Sequence, residues 1–314
     1  MISKQTEGAL NMSNNEYMHS PMVSLLEKIS IPCLADKKTG KFEDTSKLKL
    51  IDEEITNANC NYRLVEKGKK RYRLYAQDEL EVLAKDFSSV VLVSSHADNL
   101  QKKAVFEKYK TEKGIILKGI FDNAATNAAA TYIMTNMTMP RNVLFAFTSD
   151  EEEESRGAQK LAKKLKDHFE HVEVIVLDVT YGWQNEADFT IENDYFRDTQ
   201  VGIAFAKRVC EIANESGMKY NFLYEAEKDD GENYINSQLI KSFMGDNCMN
   251  DHESEGPDES EDYAEKGFDA FSLCLPCSAN GEEEMHSQDG FEISIKVLSN
   301  YTDFLEHLLE SYNS

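Results

Sequence analysis

Five consecutive apolar residues, Val143-Leu144-Phe145-Ala146-Phe147, run into Thr148-Ser149-Asp150 and then into four glutamates, Glu151 to Glu154. The apolar run has the length and composition of a strand covered on both faces, the kind found in parallel sheets. Acids crowded at the carboxyl end of such a strand repel one another unless a cation sits among them. A charge run is also commonly a solvated face. The segment alone carries both readings, and the rest of the chain bears on which one holds.

The same pattern recurs along the sequence. Residues 88–94 (SSVVLVS) read as a buried strand that delivers Ser95-His96-Ala97-Asp98. Residues 114–121 read as a strand or ribbon ending at Asp122-Asn123, followed by a small-residue helix over 124–137. After the strand at 142–148, the pattern predicts a helix over 156–169, a strand over 172–177 ending at Asp178, and a helix over 199–216. Residues 270–275 form the last clear strand. A Glu-rich loop then leads to Met285-His286-Ser287, and an amphipathic helix over 288–312 closes the chain. Upstream, Met18, Met22, Leu25, Leu26 and Ile29 give a helix over 16–30, and 61–75 reads as a hairpin around Glu66-Lys67-Gly68-Lys69. Residues 1–15 are polar and read as frayed, and the acidic segments 225–233 and 251–262 read as exposed loops.

Strands alternating with helices predict an α/β fold: a mixed, mostly parallel sheet with helices on both faces. The 314 residues suffice for one large domain spanning 1–314. With 57 Asp and Glu against 34 Lys and Arg, the net charge of −23 argues against nucleic-acid and anionic-membrane partners. No apolar run approaches the roughly 18–20 residues of a membrane span, and residues 1–7 lack the basic-then-apolar order of a secretory signal. Six cysteines in mostly apolar surroundings fit the reduced thiols of a cytoplasmic protein. Cys274-Leu275-Pro276-Cys277 has redox-motif spacing but ends a strand-like run instead of opening a helix.

In sheets of this kind, ligands bind outside the carboxyl ends of the strands. His96 with Asp98, Asp122, Glu151 with Glu152, and Asp178 each fall at such an end or in a turn, and His286 follows the last strand by a loop. Taken singly, each has an ordinary structural reading, such as a His–Asp pair or a helix cap. Together they are the nitrogen and oxygen donors that a pair of zinc ions uses. His19, His168, His171, His252 and His307 lie on polar or amphipathic stretches and read as solvated.

The order of these motifs is His-x-Asp, Gly-x-x-Asp-Asn-Ala-Ala, Thr-x-x-Glu-Glu-x-x-x-Arg-Gly-Ala, Asp-Val-Thr and Met-His-Ser. It resembles the dinuclear zinc aminopeptidases, the co-catalytic metallopeptidases that include leucyl, glutamyl and tetrahedral aminopeptidases. The resemblance covers residues 88–312, and its most specific block is the one from Glu-Glu to Arg-Gly-Ala. It implies that His96, Asp122 and Asp178 hold one metal and that Asp122, Glu152 and His286 hold the other, with Asp122 bridging and its bond to Asn123 cis. It implies Glu151 as general base, counted back six places from Gly157, and Asp98 as the carboxylate orienting His96. Gly256-Pro257-Asp258 is similar, more loosely, to a Gly-x-Asp segment of the family.

What the resemblance implies is a peptide substrate with a free N-terminus, cleaved by water activated by two divalent ions, zinc or else cobalt or manganese. A carboxypeptidase, a deacylase or a non-catalytic metal-binding homologue on the same scaffold are the alternatives. Two positions depart from the pattern: Glu154 and Thr126 stand where relatives commonly carry Gly. Only 25 residues, 97–121, separate His96 from Asp122, too few for the dimerisation domain that tetrahedral aminopeptidases insert there. A monomer or simple homo-oligomer is therefore expected.

Overall fold

The computed structural model describes residues 20–182, 186–225, 234–253 and 258–313. The polar segment 1–15, His19, most of 225–233 and Gly256-Pro257 lie outside the described residues. The strands are β1 (Arg63–Lys67), β2 (Tyr72–Ala76), β3 (Ser89–His96), β4 (Phe106–Thr111), β5 (Gly114–Gly119), β6 (Val143–Thr148), β7 (His171–Tyr181), β8 (Phe189–Tyr195), β9 (Tyr220–Tyr224), β10 (Cys248–Glu253), β11 (Asp269–Cys277) and β12 (Phe291–Ser294). The helices are α1 (Pro21–Ile29), α2 (Ser46–Asn57), α3 (Leu80–Asp86), α4 (Ala124–Asn136), α5 (Arg156–Lys166), α6 (Gln200–Glu215), α7 (Ser237–Lys241), α8 (Glu259–Ala264), α9 (Glu282–Met285) and α10 (Ile295–Glu310).

Nine strands form one sheet in the order β1-β2-β6-β3-β7-β11-β8-β9-β10, and β12-β5-β4 form a second, antiparallel sheet. At the centre β6, β3, β7 and β11 run parallel. The antiparallel partners β2 and β8 flank them. The central strands read as unbroken apolar runs because both faces are covered. Their period-two alternation divides each between two cores. Val91, Val93, Phe145, Phe147, Ile175 and Leu177 pack with α1, α2, α4, α6 and α10. Val90, Leu92, Leu144, Ala146, Val174 and Val176 pack with α3, α5 and α8. No described helix is long and apolar enough to cross a membrane.

Several sequence expectations are corrected. The strand expected to end at Asp178 runs on to Tyr181, so Asp178 lies within β7. The closing helix begins at Ile295, because residues 291–294 instead pair with β5 as β12. β4, β8, β9 and β10 are additional: β4 and β10 are polar strands, and acids interrupt the apolar alternation of β8. Segment 251–262 is not an exposed loop throughout. Residues 251–253 belong to β10, and α8 starts within the segment and buries Glu259 and Ser260 completely. Cys274 and Cys277 are buried along β11, and burial pushes the Cys277 thiol up to about 12, which suits structural thiols better than redox ones.

One glycine fixes how the acidic turn meets the sheet. A Cβ on Gly157 would stand 2.5 Å from the Ser149 nitrogen and 2.6 Å from the Arg71 and Ser149 carbonyl oxygens, all of them backbone. Gly157→Ala is expected to destabilise the fold by about 1–3 kcal/mol, since none of those atoms can rotate away. Urea unfolding checks it, and a midpoint equal to the parent's contradicts it.

Candidate metal centre

Each donor is delivered by an element whose local structure fixes its direction. His96 is the last residue of β3, and the next residue, Ala97, donates its N–H to the Thr148 carbonyl at the end of β6 (2.8 Å). Beyond β6 the chain turns through Asp150 at φ 73° and Ser155 at φ 47°. The Asp150 carbonyl accepts the N–H groups of Glu154 (3.1 Å) and Ser155 (2.6 Å), and its carboxylate is gripped by Arg156. Arg156 also donates to the carbonyls of Lys37 (2.8 Å) and Lys38 (3.0 Å). This tight turn aims Glu151 and Glu152 inward and leaves Glu153 and Glu154 exposed, Glu153 pairing with Lys37. A glutamate at 154 is thus accommodated by pointing into solvent.

Asp122 and Asn123 enter α4 through a cis peptide bond. Asn123 donates from Nδ2 to the Leu177 carbonyl (2.6 Å), which ties this entry to β7 beside Asp178. Thr126 also has a use: its hydroxyl lies 2.9 Å from Ser95 Oγ and bonds to Asn123. Asn127 completes the network by donating to Ser95 Oγ (2.7 Å) and to the His96 carbonyl (2.8 Å).

The structure brings all the expected donors together. His96 Nε2 lies 3.0 Å from Asp122 Oδ1, 3.6 Å from Asp178 Oδ1 and 3.8 Å from Glu151 Oε2. His286 Nε2, beyond α9, lies 3.2 Å from Glu152 Oε2 and 3.6 Å from Asp122 Oδ2. Asp122 thus presents one oxygen to each histidine. Ligand-capable atoms of His96, Asp122 and Asp178 lie within 4.8 Å of one another, as do those of Asp122, Glu152 and His286. Asp98 is placed differently from expectation. Its backbone carbonyl is the nearer partner of His96 Nδ1 at 3.2 Å, and its carboxylate Oδ1 stands 3.9 Å away. Asp258 caps α8, accepting from Ser260 N at 2.8 Å and from Ser272.

Whether these residues suit metal ions is tested by their unsatisfied atoms. His96 Nε2, Asp122 Oδ1 and Glu152 Oε1 are buried and make no hydrogen bond in spite of their crowding. Buried polar atoms are normally paired, and atoms that converge without pairing fit a cation between them. The electrostatics agree. Burial raises Asp178 to about 6 and Asp98 to about 7, and burial together with the neighbouring carboxylates raises Glu151 and Glu152. Asp122 goes the other way: burial would raise it, but the two histidines beside it hold it well below the usual carboxylate range. Hydrogen bonds to Asp122 and Glu152 lift His286 to about 10.

Two buried groups beside the centre escape sequence reasoning. Glu259 lies beneath β3, 3.4 Å from Ser94 Oγ. Lys47 of α2 is fully buried and donates to the Ala97 carbonyl at 2.8 Å. Its signal was present in the sequence: Lys47 shares the i, i+4, i+8 stripe with Ile51 and Ile55, a lysine on an otherwise apolar helix face.

Among solved structures the chain is similar to the aminopeptidase APDkam598 of the archaeon Desulfurococcus kamchatkensis, at 10% identity and a TM-score of 0.60, covering 95% of each chain. It is similar to the TET1 peptidase of Pyrococcus horikoshii, which can assemble into a tetrahedron or a large octahedral shell, at 13% identity and a TM-score of 0.58, covering 92% of this chain and 99% of that one. A third likeness is to the LapA aminopeptidase of Legionella pneumophila, at 14% identity and a TM-score of 0.56, covering 98% of this chain and 75% of that one. At such identities the likeness establishes the fold. No curated protein sequence matches the chain. The model of Peptidase family M28, however, matches residues 80–242, a segment that carries His96, Asp122, Glu151, Glu152 and Asp178 but stops short of His286. That match spans slightly more than half of the sequence, and the chain belongs to Peptidase family M28.

Proposed function

We propose that the protein is a metal-dependent aminopeptidase that removes N-terminal residues from peptides. The observation that carries this reading is Asp122, whose two oxygens face two histidines while further carboxylates close in on either side. His96, Asp122 and Asp178 would hold one divalent ion, and Asp122, Glu152 and His286 the other. Zinc suits the mixed nitrogen and oxygen donors, which also accept cobalt or manganese. When bound, two such ions polarise a peptide carbonyl and acidify water.

The protein's own groups supply the rest. The Asp98 carbonyl next to His96 Nδ1 fixes the tautomer that leaves Nε2 turned toward the carboxylates. Glu151 is the carboxylate of the ligand-capable cluster left unassigned to either ion. Burial and its acidic neighbours raise its pKa, which suits a group that takes a proton from the attacking water at a carboxylate oxygen and passes it to the leaving amine nitrogen. The segment between His96 and Asp122 forms only the β4–β5 hairpin, paired through β5 with β12. This supports a monomer or simple homo-oligomer. Six free cysteines, four of them buried, support a cytoplasmic location.

Matched peptides with free and acetylated N-termini test the reading. Release of the first residue is expected from the free peptide, with at least a hundredfold less cleavage of the acetylated one. Equal cleavage of both would mark a deacylase or carboxypeptidase instead.

A further inference from the structure

We propose that Lys47 is a positioning residue for the metal centre, its ammonium holding the turn that carries His96 and Asp98 and thereby setting the affinity of the centre for divalent cations. This rests on the metal-centre reading above. Removing an ammonium from water is costly, and a buried ion is often replaceable by an apolar side chain with no loss of stability. A lysine with no exposed surface, in line with Ile51 and Ile55, is therefore poorly explained by packing.

Its partner identifies its task. Nζ donates to the carbonyl of Ala97, the residue between His96 and Asp98. The other backbone group of Ala97, its N–H, is taken by Thr148 at the end of β6. Next along the turn, Asn99 donates its N–H to the Cys33 carbonyl (2.9 Å) and accepts the Cys33 N–H through Oδ1 (3.2 Å). The turn is thus held at Ala97 and at Asn99, and Lys47 provides the one charged clasp among these contacts. Charge-assisted bonds of this kind are roughly twice as strong as neutral ones.

Besides Cys33, the acidic groups near the lysine belong to the same centre. Burial pushes the ammonium toward its neutral form, and among the groups that oppose this are Asp98, Asp122 and Glu152, two of them carboxylates assigned above to the metals. Lys47 reaches them from the protein interior. A fixed cation there offsets acid charge without occupying a ligand position.

The test is zinc affinity, measured by titrating metal-free wild-type and Lys47→Met protein in competition with a chromophoric chelator. Groups that orient metal ligands typically contribute about 10–100-fold to affinity, so Lys47→Met is expected to bind zinc at least tenfold more weakly while keeping its secondary structure. A folded Lys47→Met protein that loses less than tenfold overturns the proposal, whatever its melting temperature, because a merely structural lysine would change stability and leave affinity alone. Should that variant not fold, Lys47→Gln, which keeps a polar tip, is held to the same threshold. Wild-type protein that binds no zinc would overturn the metal-centre reading itself, an outcome distinct from equal binding by both proteins.

Discussion

Glu151→Gln is expected to lower kcat by roughly 10²–10⁴-fold, the usual contribution of a positioned general base, with metal content and melting temperature close to those of the parent. The change is isosteric and removes only the capacity to take a proton. Glu151 is the group for which that capacity matters, because the carboxylates assigned to the metals stand nearer to a histidine than it does. Glu151 Oε2 is 3.8 Å from His96 Nε2, while Asp122 and Asp178 approach the same nitrogen to 3.0 and 3.6 Å and Glu152 approaches His286 to 3.2 Å. Since the lost interaction belongs to the transition state, kcat and kcat/KM should fall together. Glu154→Gln, two turn positions away from Glu152 and exposed to solvent, is the control and should leave both constants within about twofold. A Glu151→Gln enzyme that retains a fifth of the parent's kcat removes Glu151 from the reaction.

The contrast between those two glutamates shows what the sequence makes legible. A run of four identical residues has no internal landmark. In the sequence the landmark is Gly157, which packs against backbone and admits no side chain, and the register of 151 and 152 is counted back from it. The central strands were legible for a related reason: β3, β6, β7 and β11 are buried on both faces, so their apolar runs are continuous, although β7 runs on past its expected end to Tyr181. The peripheral strands were not. β10 is exposed at four of its six residues and half-buried at the other two, and its pairing with β9 is written in backbone hydrogen bonds, not in composition. β12 merged with the amphipathic helix that follows it because Phe291, Ile293 and Ile295 satisfy a period of two as well as they open a helix.

Within the centre, the residues delivered by strand ends could be named in advance, and their partners from elsewhere in the chain could not. Lys47 arrives from a helix more than forty positions before His96, and Glu259 from a short helix inside a segment whose acidity suggested a loop. Both are charged residues at buried positions, which periodicity alone reads as errors in an apolar stripe. Asp98 was named correctly as a neighbour of His96, but the atom nearest the ring is its carbonyl oxygen, a distinction between backbone and side chain that motif spacing does not contain.

Chelation is expected to abolish peptidase activity and to lower the melting temperature by roughly 10 °C at pH 8, and by clearly less at pH 6. A ligand present at about a thousand times its dissociation constant contributes about 4 kcal/mol, so two ions contribute about 8, and in a chain of this size each kcal/mol moves the melting temperature by about 1.5 °C. The pH dependence follows from the buried acids in and beside the centre. Without metal, burial holds Asp178 at about 6, Asp98 at about 7 and Glu259 at about 8, whereas in the unfolded chain such groups titrate near ~4. Between those limits the folded protein keeps protons that the unfolded chain releases, so the stability of the metal-free protein falls as pH rises. His286 acts in the same direction. Its pairing with Asp122 and Glu152 raises it to about 10, so its contribution is complete below its unfolded value of ~6.5 and is lost as pH rises through 10. Metal ions would take the place of the protons on the carboxylates that hold them and reduce the penalty, and they bind better as competing protons leave. The gap between loaded and chelated protein should therefore widen from pH 6 to pH 8. Thermal unfolding at both pH values, with and without chelator, decides the matter. Melting temperatures that do not respond to chelator at either pH, with activity intact, would mean that the acids around Asp122 are reconciled by protons alone.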